Sequence, residues 1–171
     1  KIYAVLHSRR HLPQCCMQEC ASKFPLLFAE KAVYCILMSV SSPSHITVVG
    51  AGYVGLITAV CFAKFGHRVT CVDTDEKKVA KLRRGIVPIY EPGVRELLKT
   101  GLARKRLFFT TNYEDAFAIH HPQFVFLCVG TPPRRNGSAD LRFLESAART
   151  LTRSITQPTI VVTKSTVPVG T

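Results

Sequence analysis

From Ile46 to the end of the chain, short apolar runs alternate with segments whose apolar positions recur every three or four residues. The runs are Ile46-Thr47-Val48-Val49, then HRVTCVD ending at Asp73, RLFFT ending at Thr110, FVFLCV from Phe124 to Val129, and TIVVT from Thr159 to Thr163. β-Branched and aromatic residues dominate them, as suits strands of a parallel sheet covered on both faces. Between the first two runs, Gly55, Ala59 and Ala63 recur every four residues and give a helix a small-residue face. Leu56, Ile57, Val60, Phe62 and Phe65 supply its bulk, and Gly66 ends it. A second helix is predicted over Asp75–Arg84 and a third from near Pro92, since proline is tolerated in a first helical turn. Thr111-Asn112-Tyr113-Glu114 has the spacing of a capping box and predicts a short fourth helix. Leu141, Leu144, Ala147 and Leu151 predict a fifth over Asp140 to Arg153. Strands and helices in alternation, joined by right-handed crossovers, predict a doubly wound α/β sheet of strand order 3-2-1-4-5.

The junction after the first run carries chemistry. Gly50, Gly52 and Gly55 stand in G-x-G-x-x-G spacing directly after a predicted strand. The first glycine permits a tight turn, the second lets a pyrophosphate reach the backbone without meeting a Cβ, and the third lets the helix pack closely on the strand. The helix N-terminus aimed at that turn offers unpaired N–H groups and about half a positive charge to an anion. Asp73 ends the second run 23 positions after Gly50. An acidic residue there accepts hydrogen bonds from an adenosine ribose and repels a 2′-phosphate. The combination is a Rossmann-like dinucleotide site that selects NAD over NADP, a preference that Lys77 and Lys78 weaken. Read alone, Asp73 and Asp75 also serve as caps for the following helix. Ligands of such sheets bind beyond the carboxyl ends of the strands. Gly50, Asp73, Val129-Gly130-Thr131 and Lys164-Ser165-Thr166 therefore converge on one crevice.

Apolar content of 47% over 171 residues is enough for one globular domain. The formal charge of +12 is unusual and raises the prospect of a nucleic-acid partner. From Ile46 onward there are 18 basic and 9 acidic residues, so the excess is spread along the domain. KLRRG, ARKR and PPRRNG lack interleaved aromatics for base stacking, and no nucleic-acid module occurs, which argues against that class. A positive surface that steers an anionic cofactor or nucleotide sugar is the milder reading. Seven cysteines without C-x-x-C pairs indicate neither a disulfide framework nor a metal site. Cys61, Cys71 and Cys128 read as buried thiols of a reducing, cytoplasmic compartment.

Residues 1 to about 44 follow no sustained period, hold four of the seven cysteines and lack an initiating methionine. Glu30 and Lys31 interrupt the apolar run from Phe24 to Val40, so no membrane span is expected. Met38 lies eight residues before the first strand. The expectation is a native start there, with residues 1–37 an upstream-translated or appended leader and residues 45–171 the binding domain.

VVGAGYVGLITAVCFAKFGHRVTCVDTDEKKV, PIYEPG, CVGTPP, GSADL and KSTVPVGT stand in the order and spacing of a known domain. From about Ile46 to Thr171 the chain resembles the N-terminal domain of the UDP-glucose/GDP-mannose dehydrogenase family. Its wording is most similar to the bacterial-type UDP-glucose 6-dehydrogenases of that family. The resemblance implies NAD as cofactor, with Gly50, Gly52, Gly55 and the backbone amides of Tyr53 and Val54 at the pyrophosphate. It implies Asp73 and Lys78 at the adenosine ribose, and Val129, Gly130, Thr131 and Pro132 along the cofactor. Ser165 is implied beside the nicotinamide end, and Thr166 as the catalytic threonine that positions a water. Without the resemblance, both hydroxyls simply satisfy backbone groups at a strand end. PIYEPG is explained adequately by turn and capping chemistry.

The implied reaction oxidises the C6 alcohol of a nucleotide sugar, UDP-glucose by the motif wording, to a carboxylate. It uses two NAD and a cysteine thiolate that traps the aldehyde. The family's catalytic cysteine, lysine and dimer-forming helices lie downstream of KSTVPVGT. The expectation is therefore a truncated, inactive NAD-binding domain whose sheet is incomplete at its C-terminal edge. No metal, nucleic acid or membrane partner is expected, and homo-oligomers form only through the absent domains. A free-standing NAD-sensing module, acting on a partner through its open sheet edge, is the competing reading.

Overall fold

The computed structural model describes residues 43–118, 121–169 and 171. The expected leader, with Met38, falls in residues 1–42 and lies outside the described residues. The elements are β1 (His45–Val49), α1 (Tyr53–Lys64), β2 (Arg68–Val72), α2 (Glu76–Arg83), α3 (Val94–Ala103), β3 (Leu107–Thr110), α4 (Tyr113–Ala118), β4 (Phe124–Leu127), α5 (Arg142–Ser154) and β5 (Ile160–Thr163). All strand pairs are parallel, in the order β3-β2-β1-β4-β5 that the alternation predicts. The central β1 is buried on both faces, which is why Ile46 to Val49 read as an unbroken run rather than an alternating one.

The small-residue face of α1 brings helices and strands close. A Cβ on Gly101 of α3 would stand 3.5 Å from Ala63 Cβ and 3.1 Å from Leu107 Cβ, so α1, α3 and β3 meet where bulk is least. Leu56, Val60 and Phe62 of α1 are buried, and Phe62 meets Phe126 of β4 with ring centroids 4.9 Å apart. A second cluster joins Val49, Val72, Val125 and Leu127 to Phe117 of α4 and to Leu144, Ala147 and Leu151 of α5. The apolar stripe of α5 is thus its core face.

Four helix starts differ from expectation by a residue or two, α2 opening at Glu76 rather than Asp75 and α5 at Arg142 rather than Asp140. α4 is capped by Asn112, whose Oδ1 accepts from Glu114 N at 2.8 Å, while Thr111 stays exposed. The reason is Thr110, whose hydroxyl accepts from Asn112 N and donates to Asp115 Oδ2, turning the chain one residue later than a Thr111 cap requires. α3 starts at Val94 because Gly93, at φ +83°, makes the preceding turn. At the domain's first described residues, Ser44 is buried and its N–H donates to His67 Nδ1 at 3.1 Å. Among the described residues, no helix is long and apolar enough to cross a membrane.

Candidate cofactor site

The glycine turn is held from three sides. Gly50 sits at φ +98° with its N–H donating to Val72 O at 2.7 Å, and a Cβ there would lie 2.8 Å from Cys128 O. A Cβ on Gly55 would lie 1.8 Å from Gly50 O, so the α1 start needs glycine simply to close on β1. Gly52 is different: nothing of the protein lies within 4 Å of its missing Cβ. Packing within the fold does not require glycine there, and the open space leaves the turn's backbone accessible to a ligand. The α1 N-terminus has no side-chain cap and no acidic residue in its first turn, so its N–H groups and partial positive charge are left for an external anion. The Tyr53 and Val54 side chains are exposed, and Tyr53 Oη donates to Glu91 Oε2 at 2.8 Å. PIYEPG thereby acquires a role the sequence did not show, tying the α3 approach to the mouth of the turn.

Asp73 closes the other side. Its Oδ2 accepts from Ala51 N at 2.7 Å and from Lys78 Nζ at 2.9 Å, and its Oδ1 accepts from Asp75 N at 3.0 Å. Burial would raise this carboxyl's pKa, but the bonds from Lys78, Asp75 and Ala51 outweigh it and hold the group below the ordinary carboxylate range. The ionised Oδ1 keeps acceptor capacity toward the cleft, which suits a ribose diol. Lys78 is not merely an exposed helix lysine, because its ammonium is committed to Asp73. The N-cap of α2 is Asp75, whose side chain accepts from Lys78 N, so Asp73 is not needed as that cap.

A cleft of about 300 Å³ lies beyond the strand ends, lined by Gly50, Gly52, Asp73, Lys78, Val129 and Gly130. Its opposite wall is Tyr113 together with Phe143, Ser146, Ala147 and Thr150. Sequence reasoning missed that wall. Phe143, Ser146/Ala147 and Thr150 follow the i, i+3/i+4, i+7 spacing of one helical face beside the core stripe, and Phe143 is exposed in the structure. Thr131, Pro132, Ser165 and Thr166 lie outside this cleft, where the loops after β4 and β5 are stitched together. Thr131 Oγ1 donates to Thr166 O at 2.9 Å and Ser165 Oγ to Val129 O at 2.6 Å, so the serine hydroxyl does satisfy a backbone carbonyl. Thr166 itself is exposed.

No described cysteine is poised as a nucleophile. Burial pushes Cys128 up to about 12 despite a hydrogen bond with Thr58, and burial raises Cys71 and Cys61 as well. Among the described residues, no cluster of His, Cys, Asp and Glu could hold a metal.

A glycine turn, an uncapped helix N-terminus and a ribose-type carboxylate on a doubly wound sheet define a dinucleotide-binding domain. This chain belongs to the UDP-glucose/GDP-mannose dehydrogenase family, whose NAD binding domain matches residues 44–171. A UDP-glucose 6-dehydrogenase of Rhizobium meliloti is 51% identical over 127 residues, 74% of this chain and 29% of the relative. A UDP-glucose dehydrogenase structure from Pyrobaculum islandicum superimposes with a TM-score of 0.71 at 44% identity, covering 77% of this chain and 31% of that one. A GDP-mannose dehydrogenase structure from Pseudomonas aeruginosa gives 0.66 at 37% identity, covering 71% and 28%. The chain therefore spans less than a third of the length of these curated relatives. NAD is the cofactor of this domain, and the open cradle at Gly52 and the ionised Asp73 fit it.

Proposed function

We propose that residues 45–171 are the NAD-holding part of a UDP-glucose 6-dehydrogenase, working in the cytoplasm. The substrate reading rests on the printed function of the 51%-identical relative, and the three buried free thiols support a reducing compartment. The glycine-turn and Asp73 roles are supported by the geometry of the turn, and the roles after β4 and β5 by the family resemblance. The α1 N-terminus and the turn at Gly50, Gly52 and Gly55 take the pyrophosphate, with the Tyr53 and Val54 amides as donors. Asp73 accepts from the adenosine ribose, and Lys78 fixes that carboxylate while balancing its charge. Val129, Gly130, Thr131 and Pro132 carry the chain past the cofactor, and Ser165 stands towards its nicotinamide end. Thr166 orients a water for the reacting carbon. Bound NAD supplies the hydride acceptor, and the described residues supply its seat rather than a nucleophile.

The observation that carries this reading is Gly52, which the fold leaves free of contact. The test is an NADH titration of the 171-residue chain beside Asp73→Ala, with NADPH for comparison. Saturable NADH binding that weakens at least about tenfold in the variant is expected, since a charge-assisted bond contributes about 1.5–3 kcal/mol. Equal affinity in both proteins, or a preference for NADPH, would remove Asp73 from the site.

A further inference from the structure

Tyr113 and Thr150 line a second cavity as well as the cofactor cleft. This cavity measures about 740 Å³, and its other lining residues take no part in the cleft. Tyr113, Glu114 and Phe117 come from one face of α4, and Thr150, Arg153 and Ser154 from one face of α5, at three- and four-residue spacing. Thr111 and Asn112 precede α4, while His121 and Thr156 follow the two helices, so the cavity runs along the groove between them. Phe117 is buried, and Tyr113, Thr150 and Ser154 are half-buried. The groove therefore has a floor, unlike a flat stretch of solvated surface.

The lining groups decide what fits. The formal charges of Glu114 and Arg153 cancel, and α4 and α5 both finish towards the end where Arg153 stands, so their last carbonyls offset that cation. A phosphate gains no net field here. Neither does a nucleic-acid backbone, although exposed His121 offers a ring to a base. An apolar ligand would leave the polar groups unpaired. Neutral hydroxyls suit them, because each hydroxyl both donates and accepts. Glu114 accepts, Arg153 donates, and Thr111 and Thr156 do both; among the described residues no hydrogen bond or ion pair engages these four side chains. Asn112 gives its Oδ1 to Glu114 N and keeps its Nδ2 as a donor. Thr150 Oγ1 donates to Ser146 O at 3.0 Å and retains its acceptor capacity. Burial, and secondly the charge of Asp73, raise the pKa of Tyr113, so its phenol stays neutral. The rings of Tyr113 and Phe117 supply an apolar floor for the C–H face of a sugar ring. We propose that this cavity binds a neutral, polyhydroxylated ring of the monosaccharide class. The site is separate from the cofactor cleft and does not depend on what that cleft holds.

The test is an amide NMR titration of the full chain, without NADH, using D-glucose, D-galactose and D-mannose in turn. Sodium phosphate and a single-stranded oligonucleotide serve as comparisons. At least one hexose should give saturable shifts confined to residues 111–117, 121 and 150–156, with a Kd of roughly 1–10 mM for a ligand of that size. Glu114→Ala and Arg153→Ala should each raise that Kd at least about fivefold, while Arg149→Ala, on α5 but outside the cavity, should change it less than about twofold. Each variant's own spectrum reports its folding. Thr156→Ala, at an exposed position beyond α5, should weaken the hexose about twofold or more even if a charge variant disturbs its helix. No saturable shift from any of the hexoses up to about 100 mM, or shifts that ignore these variants, would overturn the proposal. Saturable shifts from phosphate or the oligonucleotide alone would overturn it as well, transferring the cavity to an anion.

Discussion

Three glycines in one turn are required for two different reasons. Gly55→Ala sets a Cβ 1.8 Å from Gly50 O, a backbone atom that cannot move aside without opening the α1–β1 junction. The expected cost is at least about 3 kcal/mol, the upper end for overpacking a close contact. Gly52→Ala meets nothing within 4 Å, so stability measured by urea denaturation should stay within about 1 kcal/mol of wild type. NADH affinity should nevertheless fall at least about tenfold if the pyrophosphate takes the proposed path over the turn, where the new methyl would stand. If Gly52→Ala binds NADH normally, the open space serves no ligand. Asp73 adds a pH signature. Its folded pKa is depressed, so the stabilisation from its ionised form is complete above the unfolded value of about 3.9 and is lost as pH falls through the folded value. The stability gap between wild type and Asp73→Asn should be constant from about pH 6 to 8 and should narrow below about pH 4. A gap that persists under acid would mean the carboxylate's charge is not what stabilises the turn.

At the scale of elements, Asp140 is the joint between the loop after β4 and the start of α5. It accepts from Arg142 N, from both Nε and an Nη of Arg142, and from Arg134, and its own N–H donates to Pro132 O. Asp140→Ala should lower Tm and loosen the turn in which Arg134 N donates to Ser138 O, seen as faster amide exchange there, with the β1–β2 core protection retained; uniform loss of protection would show that the joint supports the whole sheet. The joint also marks where sequence legibility ends. Strand identity and order were readable because Ile46–Val49 and Phe124–Leu127 are buried on both faces, and the glycine turn because its spacing is local. The wall of Tyr113, Phe143, Ser146 and Thr150 was not readable, since it exists only once α4 and α5 lie side by side across the strand ends. The cap at Asn112 rather than Thr111 depended on a hydroxyl from the preceding strand. In each case the missing information was a contact between elements.

At the scale of the whole molecule, the cleft has the same origin: Gly50, Asp73, Gly130 and Thr150, dispersed along the sequence, line one cavity only through the alternation of strand and helix. The thiols show the complementary effect, with residues separated in sequence drawn beneath one turn. Cys71 lies under Gly50, its Sγ 4.0 Å from Gly50 O, and Cys128 follows β4 against the same turn. Burial holds both as neutral thiols, Cys128 at about 12. Because the thiolate is the reactive form, iodoacetamide at about pH 8 should leave Cys61, Cys71 and Cys128 unmodified in the folded chain and modify them once denaturant is added, read site by site by peptide mass spectrometry. The same burial has a functional consequence. A neutral buried thiol is a poor trap for an aldehyde, so mixing the chain with NAD and UDP-glucose should give no carboxylate product although NADH itself binds. Rapid alkylation of Cys128 in the native chain, or NADH production that its serine variant abolishes, would place the nucleophile beneath the glycine turn and overturn the division between cofactor seat and chemistry.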